Sequence, residues 1–287
     1  MLLLILLKLK QLKQDFAEEL VSMYPETEIR SFFNWLVEAY LGWNTTQVLL
    51  KAEEKVADEK IKLFEQALVQ LKKQKPIQYI LGETEFFGLP FRVTDALLIP
   101  RPETEELVDW ILQDHKNITE NIQVVEIGTG SGCIAVSLAK NNKNLKLFAF
   151  DISSEALEIA QENAKLNKVK VELIQQDVLA LESLAMQTDI IVSNPPYVKQ
   201  DERQSIQANV LDYEPHVALF VENESALVFY EKIIQLALAQ EKVPLVYVEI
   251  NQALAEETKT LFTKAGFKNV VLKNDMFNKP RMIKAEF

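Results

Sequence analysis

The 287-residue chain has a single cysteine, Cys133, and only two histidines, His115 and His216. One thiol excludes an internal disulfide framework and a cysteine-rich zinc site, and two imidazoles leave little for metal chemistry, so no metal is expected. A reducing cytoplasm suits that scarcity. Positive charge is also in short supply: 31 Lys and Arg stand against 42 Asp and Glu, a formal net charge of −11. Phosphate backbones would be repelled unless a local basic patch overrode the balance, and no basic recognition segment stands out, so direct sequence-specific binding of nucleic acid is not expected. Long apolar runs are missing as well. The opening MLLLILLK is followed at once by Lys10 and Lys13, far short of the roughly 20 apolar residues of a spanning helix and with no small-residue cleavage site behind it. It reads as the apolar start of an amphipathic helix or as an exposed end that contacts a partner. A membrane role is not expected, and the chain is expected to act as a monomer.

What is present is enough for a full core. A hydrophobic content of 48% over 287 residues fits one large α/β domain with a smaller companion. Up to about Leu81 the apolar residues recur at helical spacing, with Leu9, Leu12, Phe16 and Leu20 followed by Ile29, Phe32, Phe33, Leu36, Val37 and Tyr40. Gly42, Asn44-Thr45 and Asp58 interrupt these runs as stop or cap signals, and a further amphipathic helix leads to Leu71. Residues 1–84 therefore read as a helical bundle. From Glu85 to Ile99 the chain turns aromatic and β-branched around Gly88, which predicts a short hairpin, so 85–100 reads as a linker.

Residues 101–287 alternate strand and helix. Strands are expected at Val124–Ile127, Leu145–Phe150, Val171–Ile174, Asp189–Val192, Leu245–Ile250, Val270–Leu272 and near Met282–Phe287, with helices such as Glu155–Leu166 and Ala253–Ala265 between them. Nearly continuous apolar strands alternating with helices imply an α/β fold, a mostly parallel seven-stranded sheet covered on both faces.

The first of these strands runs through Glu126 into Gly128-Thr129-Gly130-Ser131-Gly132-Cys133 and then a helix. Glycines there let the backbone approach a ligand and free the helix N-terminus for polar groups. The dinucleotide fingerprint G-x-G-x-x-G is broken, because its third position falls on Cys133. The second strand ends at Asp151, placed to accept hydrogen bonds from ribose hydroxyls, and the third at Asp177-Val178, a carboxylate and an apolar side chain able to flank an adenine. All lie at carboxyl ends of parallel strands, where open α/β sheets bind ligands. Together they predict a nucleoside pocket, with Cys133 as a small packing residue.

The fourth strand, DIIVSNPPYV, stops at Asn194-Pro195-Pro196-Tyr197. Neither proline donates a ladder hydrogen bond, and each holds the residue before it extended, so the segment is a stiff shelf. The Asn194 carboxamide and the Pro195 carbonyl can project from it as fixed acceptors, with Tyr197 a flat face nearby. Such a shelf suits a planar amino group. Upstream, Ile99-Pro-Arg-Pro-Glu-Thr-Glu105 leads into a helix with an acidic first turn, where Arg101 and Glu103 are either cap and ion-pair residues or pocket-lining ones. Glu249, at a strand end, reads as a buried carboxylate paired with a neighbouring donor, and His216 as structural.

The Glu126 and Gly-x-Gly-x-Gly loop with Asp151 resembles the S-adenosyl-L-methionine site of class I methyltransferases, and Asn194-Pro-Pro-Tyr197 resembles the motif of enzymes that methylate planar amino nitrogens. Together with Gln78–Gly82, Phe87-Gly88-Leu89 and Ile99–Glu105, the set resembles HemK-type peptide chain release factor glutamine methyltransferases from about Pro76 onward. The resemblance implies a Rossmann-like class I methyltransferase sheet, cofactor contacts from Glu126, Gly128 to Gly132, Asp151 and Asn194, and a glutamine of a Gly-Gly-Gln motif gripped by Asn194 to Tyr197. It further implies that the N-terminal bundle helps to dock the release factor. Near the end the family shows Lys-Asp-x-x-Gly-x-x-Arg, whereas here Lys273-Asn-Asp-Met-Phe-Asn-Lys-Pro-Arg281 shifts the acidic residue and puts Asn278 near the glycine position. Asn tolerates left-handed geometry, so the turn is expected to survive. Two rival readings share these residues: an adenine amino-group methyltransferase acting on DNA or RNA, and a nucleoside- or partner-binding module without turnover.

Overall fold

A computed structural model describes residues 7–287; the expected apolar helix start in residues 1–6 lies outside the described residues. The chain divides into two units, one running up to Gly82 and taking in Ala208–Tyr213, the other formed by Glu83–Gln207 and Glu214–Phe287.

In the first unit, helices Leu9–Leu20, Glu26–Leu41, Asp58–Leu71 and two shorter ones pack around one core. The periodicity is realised residue by residue, because Leu9, Leu12, Phe16 and Leu20 are buried against Ile29, Phe32, Phe33, Leu36 and Val37. Phe33 contacts both Phe16, edge-on, and Phe64, tilted, each with ring centroids 5.5 Å apart. Gly42 ends the second helix at φ +69°, a left-handed C-cap, and Asn44 starts the next with a reciprocal capping box to Gln47. Asp58 sits inside the first turn of its helix rather than at the cap, where the helix dipole favours an acid.

The second unit opens with a hairpin, Glu83–Phe86 paired with Leu89–Arg92 through Phe87 and Gly88, both at positive φ. The segment expected to be a linker packs into this unit, since Phe86 and Phe91 are buried in the same cluster as Leu107, Val124 and Leu147. The main sheet has seven strands: β1 (Ile122–Ile127), β2 (Leu145–Asp151), β3 (Val171–Gln175), β4 (Ile190–Ser193), β5 (Leu245–Glu249), β6 (Asn269–Asn274) and β7 (Pro280–Glu286). Their order is β6-β7-β5-β4-β1-β2-β3, and β7 alone runs against the rest. Two apolar clusters, one built on Val124, Leu147 and Tyr247, the other on Val125, Ile191 and Val248, cover the two faces. Successive strand residues thus point to opposite layers, both buried, which is why the strands read as continuous apolar runs. The strand order reverses beside β1, so the loops after β1 and β4 diverge and leave a crevice.

Between β6 and β7 the irregular turn forms as expected. Asn278 adopts φ +60°, and Asp275, although shifted in sequence, still reaches Arg281 Nε at 3.1 Å. Its side chain also accepts the backbone N–H groups of Phe277 and Lys279.

Candidate functional site

A cavity of about 300 Å³ lies at the carboxyl ends of β1 to β4, within the range of small-molecule sites. Its first wall is the glycine loop. Glu126, Gly128, Thr129, Gly130 and Ser131 line it, and Gly128, Gly130 and Gly132 all hold positive φ. Gly132 is set back from the cavity and begins the helix Cys133–Asn141, where an added Cβ would stand 3.1 Å from Ala160 Cβ. At Gly128 and Gly130 an added Cβ meets no protein atom within 4 Å, so the backbone faces open space there.

The Glu126 carboxylate accepts from Thr129 Oγ1 at 2.7 Å and from the Ala135 N–H at 3.1 Å. Burial nevertheless pushes its pKa up to about 8. Burial also lifts the Cys133 thiol to about 12, so this helix start holds an inert packing thiol rather than a nucleophile.

Asp151 closes β2 and lines the cavity, its Oδ2 accepting the Gly130 N–H at 2.8 Å and its Oδ1 the Ser153 N–H at 3.0 Å. Asp177 and Val178 follow β3 and line the cavity together. Asp177 caps a short 3₁₀ turn by accepting the Leu179 N–H at 2.9 Å, and the turn presents Val178. Carboxylates at two adjacent strand ends, an apolar side chain beside one of them and an open glycine backbone suit a nucleoside with a cationic substituent.

A further wall is the shelf that follows β4, the strand paired with β1. Asn194, Pro195 and Pro196 line the cavity, as does Arg101, but Tyr197 and Glu103 do not lie among its lining residues. Tyr197, partly buried, packs against the core cluster of Val125, Tyr230 and Val248 and donates its hydroxyl to Glu249 Oε1 at 2.9 Å. Its backbone carbonyl accepts from Asn251 Nδ2 at 3.0 Å. Arg101 reaches Glu214 Oε1 at 2.6 Å, tying the loop before Pro102 to the start of the short helix His216–Leu219, whose cap Pro215 and residue Ala218 line the cavity.

Three residues that the sequence did not mark as functional hold this arrangement. Thr104, on the first turn of the helix Pro102–Asp114, accepts from Asn194 Nδ2 at 3.1 Å and donates to Glu249 Oε2 at 2.6 Å. Glu249 is the buried, paired strand-end carboxylate that was expected. Burial pushes its pKa above the ordinary carboxylate value, opposed by the hydroxyls of Thr104 and Tyr197 and by the Arg281 charge. Asn163 binds the Ser131 carbonyl at 2.9 Å and both backbone groups of Arg92, fixing the glycine loop to the hairpin. Thr104 stands only two residues after Pro102 in a run already noted, and that proximity was the available signal; Asn163 offered none.

Residues 107–227 match the family described as methyltransferase small domain, and residues 11–82 match the PrmC N-terminal domain. The chain is 48% identical over 282 residues to a release factor glutamine methyltransferase of Flavobacterium psychrophilum, covering 97% of this chain and 99% of that relative. A protein of the same name from Bacteroides thetaiotaomicron is 38% identical, covering 93% and 96%. Among solved structures, the hMettl16 catalytic domain in complex with MAT2A 3′UTR hairpin 6 aligns with a TM-score of 0.55 at 16% identity, over 80% of this chain and 82% of that one. Human methyltransferase 10 domain containing protein gives a TM-score of 0.51 at 16% identity, over 70% and 90%. At such identities the structural likeness is one of fold.

Proposed function

The chain belongs to the release factor glutamine methyltransferase family, and on that premise we propose that it transfers a methyl group to the side-chain amide nitrogen of the glutamine in the Gly-Gly-Gln motif of peptide chain release factors. When bound, S-adenosyl-L-methionine supplies a methyl group already activated on its sulfonium. The observation that carries the reading is that Asn194 and Pro195 line the same cavity as Gly128, Gly130 and Asp151, so an amide acceptor and a nucleoside-type donor meet in one space.

In this reading Asp151 would accept the ribose hydroxyls, Asp177 and Val178 would flank the adenine, and the backbone from Gly128 to Gly132, with Glu126 behind it, would hold the amino-acid end. The Asn194 Oδ1 and the Pro195 carbonyl accept the two N–H groups of the glutamine amide. An amide nitrogen is a poor nucleophile because its lone pair is delocalised; two fixed acceptors favour charge on nitrogen and aim it at the methyl carbon. With the cofactor bound, a C–N bond would form as its C–S bond breaks, the sulfur keeping the electron pair, and the nitrogen would then release one proton to solvent, so no general base is assigned. Tyr197 serves by holding Glu249 and the shelf, and Arg101 contacts the peptide around the glutamine.

Residues 1–84 act as the docking part, 85–100 as the connection and 101–287 as the methyltransferase part, working as a monomer without direct nucleic-acid binding. Exposed Trp35, Leu49 and Leu50 on the first unit supply apolar surface for a protein partner.

The test is transfer of labelled methyl from S-adenosyl-L-methionine to purified release factor, with DNA and ribosomal RNA in parallel. Label confined to the Gly-Gly-Gln peptide is expected. Label on adenine, or cofactor binding without transfer to any of the three, would overturn the reading.

A further inference from the structure

We infer that Thr104 and Glu249 are positioning residues, which lock the Asn194 carboxamide with its oxygen, and not its NH₂, turned toward the cavity. The inference rests on the reading of Asn194 as an acceptor for the substrate amide.

A carboxamide has two faces of similar shape and opposite hydrogen-bonding sense, so an asparagine on a shelf is useful as an acceptor only if something decides which way it points. Thr104 makes that decision because its hydroxyl carries a single proton. Thr104 and Glu249 are 2% and 1% exposed, so water does not compete for that proton. The 2.6 Å separation from Thr104 Oγ1 to Glu249 Oε2 is the length of a hydroxyl donating to a carboxylate. The other carboxylate oxygen takes the Tyr197 hydroxyl at 2.9 Å. With Glu249 ionised, the form that accepts from both hydroxyls and faces the Arg281 charge, the Thr104 proton is committed and Thr104 has only lone pairs to offer at its 3.1 Å contact with Asn194. An oxygen there would meet an oxygen. The NH₂ must face Thr104, and Oδ1 must face the other way.

The relay has a fixed polarity, running from Asn194 Nδ2 through the Thr104 hydroxyl to Glu249. Its parts come from the end of β4, the first turn of the helix Pro102–Asp114 and the end of β5, so tertiary packing sets the polarity rather than any local motif. Glu249→Gln would unsettle it, because a carboxamide at 249 can accept from only one of the two hydroxyls through its single oxygen. If that oxygen serves Tyr197, the new NH₂ donates to Thr104, the Thr104 proton turns to Asn194, and the Asn194 amide inverts.

The experiment compares Thr104→Val, Thr104→Ser, Glu249→Gln and the Thr104→Val/Glu249→Gln double variant with the wild type. It measures kcat on release factor, the cofactor Kd, and hydrogen exchange of the Asn194 side-chain NH₂ in ¹⁵N spectra. Thr104→Val is expected to lower kcat roughly 10- to 100-fold, to leave the cofactor Kd within about 2-fold, and to speed NH₂ exchange; Thr104→Ser should restore all three. Glu249→Gln should also lower kcat, and the double variant should fall no further than Thr104→Val alone, since both act through one hydroxyl. Unchanged NH₂ exchange in Thr104→Val overturns the relay, as does an equal loss of kcat in Thr104→Ser. Faster exchange with wild-type kcat overturns the inference together with the reading of Asn194 as acceptor. Because the exchange measurement needs no turnover, the relay and the proposed function fail by different signs.

Discussion

Asp151 Oδ2 accepts the backbone N–H of Gly130 at 2.8 Å, so the acid at the end of β2 holds the turn at the end of β1. One carboxylate therefore shapes the glycine loop and, in the proposed site, receives the ribose. Asp151→Ala removes both effects. Loss of hydrogen bonds to a charged group costs about 1.5–3 kcal/mol each, so the cofactor Kd should rise at least 10-fold by titration calorimetry. Asp151→Asn keeps one acceptor and should fall between; an alanine variant that binds cofactor like the wild type would remove Asp151 from the site.

Gly132 carries a different load. It stands at φ +77°, and an added Cβ would sit 3.1 Å from Ala160 Cβ and 3.3 Å from Ala160 Cα on the helix Ser154–Leu166. Left-handed geometry costs an L-residue about 1–2 kcal/mol, and the crowding adds to it. Gly132→Ala should lower unfolding stability by about 2–3 kcal/mol in urea titration. Gly88 also has positive φ, but no atom lies within 4 Å of its added Cβ, so Gly88→Ala should pay the backbone term alone. Equal losses at the two sites would show that Ala160 gives way without cost.

The sequence made the strands and the glycine loop readable because both are local. Period and composition mark a doubly covered strand such as Ile190–Ser193, and a strand-to-glycine turn marks its own ligand-facing end. The shelf was equally visible, since Asn194-Pro195-Pro196 is stiff by covalent structure alone. The long-range partners of Tyr197 were not visible in the same way: expected as a flat face beside the substrate, it packs against the core cluster of Val125 and Val248 and donates its hydroxyl to Glu249, 52 positions away. Thr104 lies 90 positions from Asn194 and 145 from Glu249. Contacts that join three strand and helix ends carry no periodicity, so only the folded chain reveals them. The hairpin shows the same limit: its turn chemistry is local, but Phe86 and Phe91 join the second unit through long-range burial.

Glu126 gives a prediction for stability against pH. Burial raises its folded pKa from 4.5 to about 8, so between those values the folded chain holds a proton that the unfolded chain has released. The stabilisation is complete below the unfolded value and is lost as pH rises through the folded one. Glu126→Gln cannot ionise and lacks this dependence. The difference in unfolding free energy between wild type and Glu126→Gln should shift in favour of the variant by about 1.4 kcal/mol per pH unit between pH 5 and 8. Urea titrations of both proteins at three pH values, without cofactor, check the slope; parallel curves would show that Glu126 is ionised in the folded chain.

Asn194 is where binding and turnover should separate. Its carboxamide is fixed from behind by Thr104, and it shares the cavity with the glycine loop, but the loop and Asp151 supply most of the polar groups suited to a nucleoside. Asn194→Ala therefore removes an acceptor that matters chiefly when the amide nitrogen develops charge. Losing one preorganised group of this kind costs about 100- to 1,000-fold in kcat, whereas the cofactor Kd should stay within about 3-fold. Asn194→Asp keeps an oxygen facing the cavity but presents a second one to Thr104 in place of the NH₂, so it should also lose turnover despite offering acceptors. That contrast separates orientation from mere polarity. Single-turnover rates with labelled cofactor, alongside calorimetric Kd values, decide it. A Kd that weakens in proportion to the rate would make Asn194 a cofactor ligand rather than the group that aims the amide.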